Sequence, residues 1–110
     1  MFRVPLYVVA LSFGLAAPGL AQDAKATGEK VYAEQKCSVC HALAGKGNAK
    51  GPLDEVGSKL TAEEIRAWIT DAKGMTAKTK AARKPEMKAY TLTTDEVDGL
   101  VAYLSAMKKK

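Results

Sequence analysis

Residues 37–41 of this 110-residue chain read CSVCH and hold both of its cysteines and its only histidine. The motif restricts the fold strongly, because two thiols and an imidazole within five residues must be presented at one place. A disulfide between Cys37 and Cys40 would close a very short loop and would constrain the unfolded chain little. A thioredoxin-like C-x-x-C needs a βαβ context, which the sequence lacks. A zinc site would have no second histidine or further cysteine to complete it.

The spacing C-x-x-C-H is the attachment motif of c-type haem. Each thiol adds to one vinyl group of the porphyrin, and two intervening residues let Cys37 and Cys40 reach neighbouring vinyls. The next residue, His41, is then carried under the ring, where its imidazole can bind iron axially. The motif therefore predicts one covalently attached haem c.

The first 21 residues read as a secretory signal segment, and residues 22–110 as the single domain that follows it. Arg3 supplies a positive start, residues 4–21 are uncharged, and Pro18 and Gly19 stand shortly before the small Ala21. This pattern is typical of a cleaved signal. Cleavage predicts a periplasmic protein without stable membrane insertion, whereas an uncleaved anchor is the alternative, since 18 residues is near the lower limit for a span.

A domain of this size has a marginal hydrophobic core. It buries only about 60–65% of the surface that its unfolded chain exposes. Small exported proteins usually compensate with disulfides or a bound group. Because a Cys37–Cys40 disulfide would stabilise the domain little, the sequence favours a cofactor that supplies part of the core.

Hydrophobic periodicity predicts an all-α domain, because no segment shows convincing strand alternation. Asp23 is a candidate N-cap for the first helix, and Thr61 and Thr93 each stand three residues before a glutamate, which is the capping-box spacing. Residues 45–57 contain four glycines and one proline and read as loop. The predicted helices are residues 23–36, 60–73 and 92–110.

Residues 74–92 form a long stretch with little apolar content and a central Pro85. A structureless loop of this length is uncommon in a compact domain unless something else organises it. Residues 73–88, here called the basic segment, contain Glu86 as their only acid and six cations. These cations are Lys73, Lys78, Lys80, Arg83, Lys84 and Lys88.

The chain resembles the class I c-type cytochromes, which are small monohaem electron carriers. The resemblance covers nearly all of residues 22–110: a first helix, CSVCH, a GPL loop, a middle helix with Trp68, a methionine loop and a C-terminal LVAYL helix. It implies the cytochrome c fold, in which the N- and C-terminal helices cross and loops enclose one haem. At that crossing it places Gly28, Tyr32, Leu100 and Tyr103.

The resemblance also implies residues that contact the cofactor. It makes Trp68 and Pro52 cofactor-binding residues, with the Pro52 carbonyl accepting a hydrogen bond from the second ring nitrogen of His41. Such a bond sets the orientation and basicity of a ligating imidazole.

The sixth iron ligand is expected to be a methionine, because the chain has no second histidine. Met107 lies near the apolar face of the last helix, which favours packing, and Met75 follows a glycine at the end of the middle helix. The resemblance selects Met87, which lies in a proline-containing loop shortly before the last helix. Many family members place proline directly after this methionine, whereas this chain has Lys88, and Met75 remains the alternative.

The resemblance implies a monomeric electron carrier, not an enzyme, that exchanges one electron with other redox proteins. The basic segment predicts that these partners have acidic docking surfaces, and we expect no nucleic-acid partner. Two alternatives remain open. One is a five-coordinate haem protein, either a peroxidase or a gas sensor, and the other is a haem subunit of a larger redox complex.

Overall fold

The computed structural model describes residues 17–110, and the fold is all-α apart from one short hairpin. The predicted all-α class is therefore confirmed. Most of the predicted signal segment lies outside the described residues, so the domain boundary after residue 21 stays a prediction. Along the chain the elements are α1 (Ala17–Glu34), a 3-10 turn (Cys37–Val39), β1 (Ala42–Leu43), β2 (Lys46–Gly47), α2 (Val56–Lys59), α3 (Ala62–Thr70), α4 (Ala72–Thr79) and α5 (Thr94–Ser105).

Helices α1 and α5 approach each other backbone to backbone at two glycines. A Cβ on Gly28 would overlap the Gly99 carbonyl, and a Cβ on Gly99 would lie 2.9 Å from the Ala24 carbonyl oxygen. Beside this contact the rings of Tyr32 and Tyr103 pack edge to face, with centroids 5.9 Å apart and planes at 65°. The predicted packing of the first and last helices is confirmed, and Gly99 is the partner that the sequence analysis did not identify.

The hydrophobic core is built from one face each of α1, α3 and α5. Its members recur at helical spacing, so each helix buries a single stripe. Burying an aliphatic side chain of this size contributes about 1.5–3 kcal/mol before conformational entropy is subtracted. The core consists of Val31, Tyr32, Ile65, Ile69, Val97, Leu100, Val101 and Leu104.

Both predicted capping boxes are present. The Thr61 hydroxyl accepts from the Glu64 amide at 3.1 Å, and the Glu64 carboxylate accepts from the Thr61 amide at 3.0 Å. Thr93 and Glu96 repeat the arrangement at the start of α5. Each box satisfies amide donors that a helix N-terminus would otherwise leave unpaired, and an N-cap of this type stabilises its helix by about 1 kcal/mol.

The structure corrects three helix boundaries, one of which is the end of the last helix: α5 ends at Ser105 and not at residue 110. Helix α1 begins at Ala17, so Asp23 lies inside the helix and is not its N-cap. The middle helix ends at Thr70, and Asp71 starts α4 by accepting a hydrogen bond from the Gly74 amide at 3.2 Å. Because α4 continues to Thr79, the irregular stretch before α5 is shorter than the sequence predicts.

Part of the region that was predicted as loop, residues 45–57, is also regular. Strands β1 and β2 pair antiparallel, with Leu43 opposite Lys46. The two residues between them have φ of 51° at Ala44 and 78° at Gly45. Positive φ at both central positions is the geometry of a tight hairpin turn. Leu43 lies partly buried against the core.

The C-terminal tail is bonded to α2. The Gly57 amide donates to the Met107 carbonyl at 2.8 Å, and the Lys109 amide donates to the Ser58 hydroxyl at 2.7 Å. The Lys108 ammonium donates to the Gly57 carbonyl at 2.9 Å. These bonds hold the end of the chain against the middle of the sequence. In the described part of the chain, no helix has the length and apolarity to cross a membrane.

Because Gly28 contacts Gly99, Gly28→Ala should lower the stability of the protein, which is the opposite of its usual effect in a helix. In an open helix this substitution stabilises by roughly 0.5–1 kcal/mol. Here the added methyl group overlaps the Gly99 backbone, so we expect a loss of about 1–3 kcal/mol in the free energy of unfolding. Denaturant unfolding of the haem-loaded protein measures it. Glu29→Ala, at an exposed neighbouring position, is the control and should change stability by less than about 0.5 kcal/mol. An unchanged or more stable Gly28→Ala variant would contradict the described packing.

Candidate haem site

The CSVCH motif forms a tight turn at the end of α1. Lys36 adopts a left-handed conformation with φ of 55° and redirects the chain into the 3-10 turn. The amides of Cys40 and His41 then both donate to the Cys37 carbonyl, at 3.2 and 2.9 Å. Both cysteines are half-buried and neither is in a disulfide. The turn therefore presents two unpaired thiols and the imidazole together, as the motif predicts.

His41 is held by a hydrogen bond from its ring. Nδ1 lies 3.0 Å from the Gly51 carbonyl oxygen, which makes Nδ1 the protonated donor and leaves Nε2 without a proton. Burial lowers the pKa of His41; the Gly51 bond opposes this shift, and the positive charge of Arg83 adds to it. A neutral imidazole with Nε2 available is the form that binds a metal.

The predicted bond from His41 to the Pro52 carbonyl is wrong by one residue. The acceptor is the Gly51 carbonyl, which also accepts from the Ala42 amide at 3.0 Å. Ala42 and Pro52 form a parallel bridge in which the Leu53 amide donates to the Ala42 carbonyl. That bridge uses the residues on either side of Pro52, so the missing N–H of proline is not required there.

Gly51 is closely packed as well as hydrogen-bonded. A Cβ at this position would overlap the Cys40 carbonyl on one side and the guanidinium of Arg83 on the other. Only glycine lets the chain pass this close to the attachment turn. Gly51 and Arg83 were not among the predicted site residues. The GPL motif marked the loop, but no local pattern indicated the approach of Arg83, which lies 32 residues later in the sequence.

Tyr90 is a further residue near the cysteines. Its amide donates to the Ile69 carbonyl at 2.9 Å, which fixes the chain before α5 against α3. Burial raises the pKa of Tyr90, and Cys37 and Cys40 raise it further. The Lys88 ammonium lies 5.2 Å from the centre of the Tyr90 ring. Tyr90 and Cys37 both pack against the hydrophobic core, so the chain just after the basic segment is anchored on the same core as the attachment turn.

The other predicted site residues are Trp68 and Met87. Trp68 is half-buried on α3, next to the core residue Ile69. Met87 is half-buried in the irregular stretch between α4 and α5, whereas Met75 is only 7% exposed on α4. The cofactor contacts of Trp68 and the ligand role of Met87 stay predictions.

The residues present are suited to a covalently bound haem. Two unpaired, half-buried thiols stand two residues apart, and the adjacent imidazole has its Nε2 free because Nδ1 is bonded. Tyr32 adds a second observation: its hydroxyl is buried and has no hydrogen-bond partner within residues 17–110. A buried unpaired hydroxyl is unusual in a complete structure, and the neighbouring Cys37 is where the haem would be attached.

Comparison with known proteins agrees with this site. The model of the Cytochrome c family matches residues 25–108, so the chain belongs to the cytochrome c family. The covalently bound haem c predicted from the motif is confirmed, with Cys37 and Cys40 in the family's attachment motif.

A curated relative is cytochrome c oxidase subunit 2 of Alkalihalophilus pseudofirmus, to which the chain is 28% identical over 90 residues. That match covers 74% of this chain and 25% of the relative, so the chain spans about a quarter of the relative's length. No solved structure gives a significant match.

The unpaired Tyr32 hydroxyl predicts a pH effect. Burial is the main cause that raises the pKa of Tyr32 to about 12 from 10.0; the charges of Cys37, Tyr103 and Asp54 add to it, Cys37 only while its thiol is free of haem. The folded protein keeps this proton where the unfolded chain loses it, so folding stability should fall as the pH rises from 10 towards 12. In Tyr32→Phe this fall should be shallower. Equal slopes of stability against pH in the two proteins would contradict the raised pKa of Tyr32.

Denaturant unfolding of wild type and Tyr32→Phe at pH 7, 10 and 11 measures this effect. The other tyrosines are unchanged in the variant, so the difference between the two proteins isolates Tyr32. A loss of more than about 1 kcal/mol at pH 7 in the variant would mean that the hydroxyl has a partner in the haem-loaded protein.

Proposed function

We propose that this chain is a periplasmic one-electron carrier whose haem iron is bound between His41 and Met87. The observation that carries the proposal is the bond from His41 Nδ1 to the Gly51 carbonyl beside two unpaired thiols. That bond fixes the ring and its tautomer before the metal binds. Bound haem supplies an iron that cycles between two oxidation states, and membership of the cytochrome c family supports electron transfer as its use.

Burial supports Met87 as the distal ligand over Met75. At 7% exposure, Met75 already packs against protein atoms on α4, and turning its sulfur towards iron would open a cavity there. Met87 is half-buried and belongs to no regular element. The segment around it is anchored at Tyr90, which packs against the same core as Cys37. A thioether ligand would also raise the haem potential relative to two imidazoles.

An electron carrier whose haem iron has two protein ligands needs no catalytic residue. His41 and Met87 would hold the iron, Cys37 and Cys40 would fix the ring, and no position at the iron would be left for a substrate. This favours electron transfer over a five-coordinate peroxidase or gas sensor. The periplasmic location is supported by the signal-like segment of residues 1–21.

The ligand assignment predicts opposite responses in two methionine variants. Met87→Ala should lose the weak near-infrared absorption band of a ferric iron–sulfur bond and should lower the redox potential. Met75→Ala should keep both properties but lose about 2–5 kcal/mol of stability, because it empties a buried volume. Absorption spectra, redox titration and denaturant unfolding of both variants test the assignment. Loss of the band in Met75→Ala and not in Met87→Ala would overturn it.

The basic segment is proposed to dock an acidic redox partner. All six of its cations are exposed, and only Lys84 pairs with an acid, Glu86, at 2.9 Å. Val39, between the two attachment cysteines, is an apolar side chain that is 67% exposed. Exposed cations without acidic neighbours and an exposed apolar side chain are both typical of surfaces that a partner covers during a short-lived encounter.

Docking by charge predicts a salt-dependent rate. Electron exchange with an acidic redox protein should slow steeply as ionic strength rises, because the Debye length falls to about 10 Å at 0.1 M. Lys78→Glu/Lys80→Glu should slow the exchange at low salt and flatten its salt dependence. Lys25→Glu/Lys30→Glu changes the net charge equally on α1 and serves as the control. Equal effects of the two double variants, or a flat wild-type profile, would reject the docking role of the basic segment.

A second candidate function is a haem subunit or module of a larger redox complex. The match to an oxidase subunit favours it, although this chain covers only a quarter of that relative. Gentle extraction of the native protein followed by size-exclusion chromatography distinguishes the two. A free carrier elutes as a monomer, whereas a module elutes together with other redox subunits.

A further inference from the structure

Arg83 lies against the residue that holds the proximal histidine. Its Nη1 occupies the side of Gly51 to which a Cβ would point, and its Cζ lies 3.0 Å from that same Cβ position. The Gly51 carbonyl accepts the hydrogen bond from His41 Nδ1 at 3.0 Å. Gly51 is therefore in contact with both the guanidinium and the imidazole.

The other cations nearby are compensated or differently placed. Lys84 pairs with Glu86, and Lys88 lies over the ring of Tyr90. Among residues 17–110, Arg83 makes no ion pair with a carboxylate. No carboxylate within that range therefore cancels its charge.

We infer that Arg83 is a positioned positive charge that raises the redox potential of the haem from the proximal side. The inference rests on the proposed function, in which His41 binds the iron. The oxidised centre carries one more positive charge than the reduced centre, so a fixed cation nearby destabilises the oxidised form more. Removing the cation favours the ferric state, which lowers the potential.

The Arg83 guanidinium can lie against Gly51 because glycine has no side chain. Any other residue at position 51 would push the guanidinium away and also collide with the Cys40 carbonyl. Arg83 is exposed, like the other cations of the basic segment. Solvent therefore screens the interaction, and the expected effect is a few-fold change in the ratio of ferrous to ferric protein.

The test compares three variants of the haem-loaded protein by redox titration. Arg83→Gln removes the charge at similar size, Arg83→Lys keeps the charge, and Lys78→Gln removes an equivalent charge from elsewhere in the basic segment. At the wild-type midpoint, the ferrous-to-ferric ratio of Arg83→Gln should fall by about threefold to tenfold, as expected for one unit charge at an effective dielectric constant near 20. Arg83→Lys and Lys78→Gln should each stay within about twofold of the wild type.

Three outcomes would overturn the inference. They are an unchanged midpoint in Arg83→Gln, an equal shift in Lys78→Gln, or an Arg83→Lys variant that shifts as far as Arg83→Gln. The last would mean that the planar group supports Gly51 and that its charge is irrelevant. Failure of the proposed function has a different result, because the wild type itself would then lack the near-infrared band of a ferric iron–sulfur bond, whichever way the midpoint of Arg83→Gln moves. A purely structural role for Arg83 would lower the unfolding temperature of Arg83→Gln without moving its midpoint.

Discussion

The contact of Gly28 with Gly99 sets the distance between α1 and α5, and the positions of the other elements depend on it. Helix α1 leads directly into the attachment turn, and α5 begins where the segment that carries Met87 ends. Two helices that meet at side chains normally lie 8–10 Å apart. Two facing glycines allow a closer approach, so Tyr32 and Tyr103 can pack beside the contact and cover it.

The protein part of the core is small for the length of the chain. Eight buried side chains from three helices form its centre, and a second group is only partly buried against them, including Cys37, Leu53, Leu60, Tyr90 and Leu92. Partly buried apolar residues around an attachment site are what a large flat cofactor would cover. The haem thus completes the hydrophobic core in addition to its redox role. Such a contribution is expected, because small domains bury a smaller fraction of their surface and are only marginally stable.

Sequence patterns predicted the features that depend on neighbours along the chain. The attachment turn follows from CSVCH, and both capping boxes follow from a threonine and a glutamate three residues apart. Helix α4 was missed because it buries only Ala72 and Met75, which is too narrow a stripe to show as periodicity. Its start could have been found from Asp71, which caps the Gly74 amide.

The errors at the haem site concern contacts between distant parts of the chain. Whether Gly51 or Pro52 presents its carbonyl to His41 depends on the register of the bridge with Ala42, which no local pattern fixes. The approach of Arg83 to Gly51 depends on how the segment after α4 returns across the attachment turn. Both are results of packing, and neither has a periodicity or motif from which it could be read.

The bonds between the C-terminal tail and α2 join two points 51 residues apart in the sequence. They close a ring of chain that contains α3, α4, the basic segment and α5. Such a closure joins the last residues of the chain to its middle, so fraying of the tail and opening of α2 are one event and not two. The terminal lysines are therefore part of the same cooperative unit as α2, in addition to carrying charge.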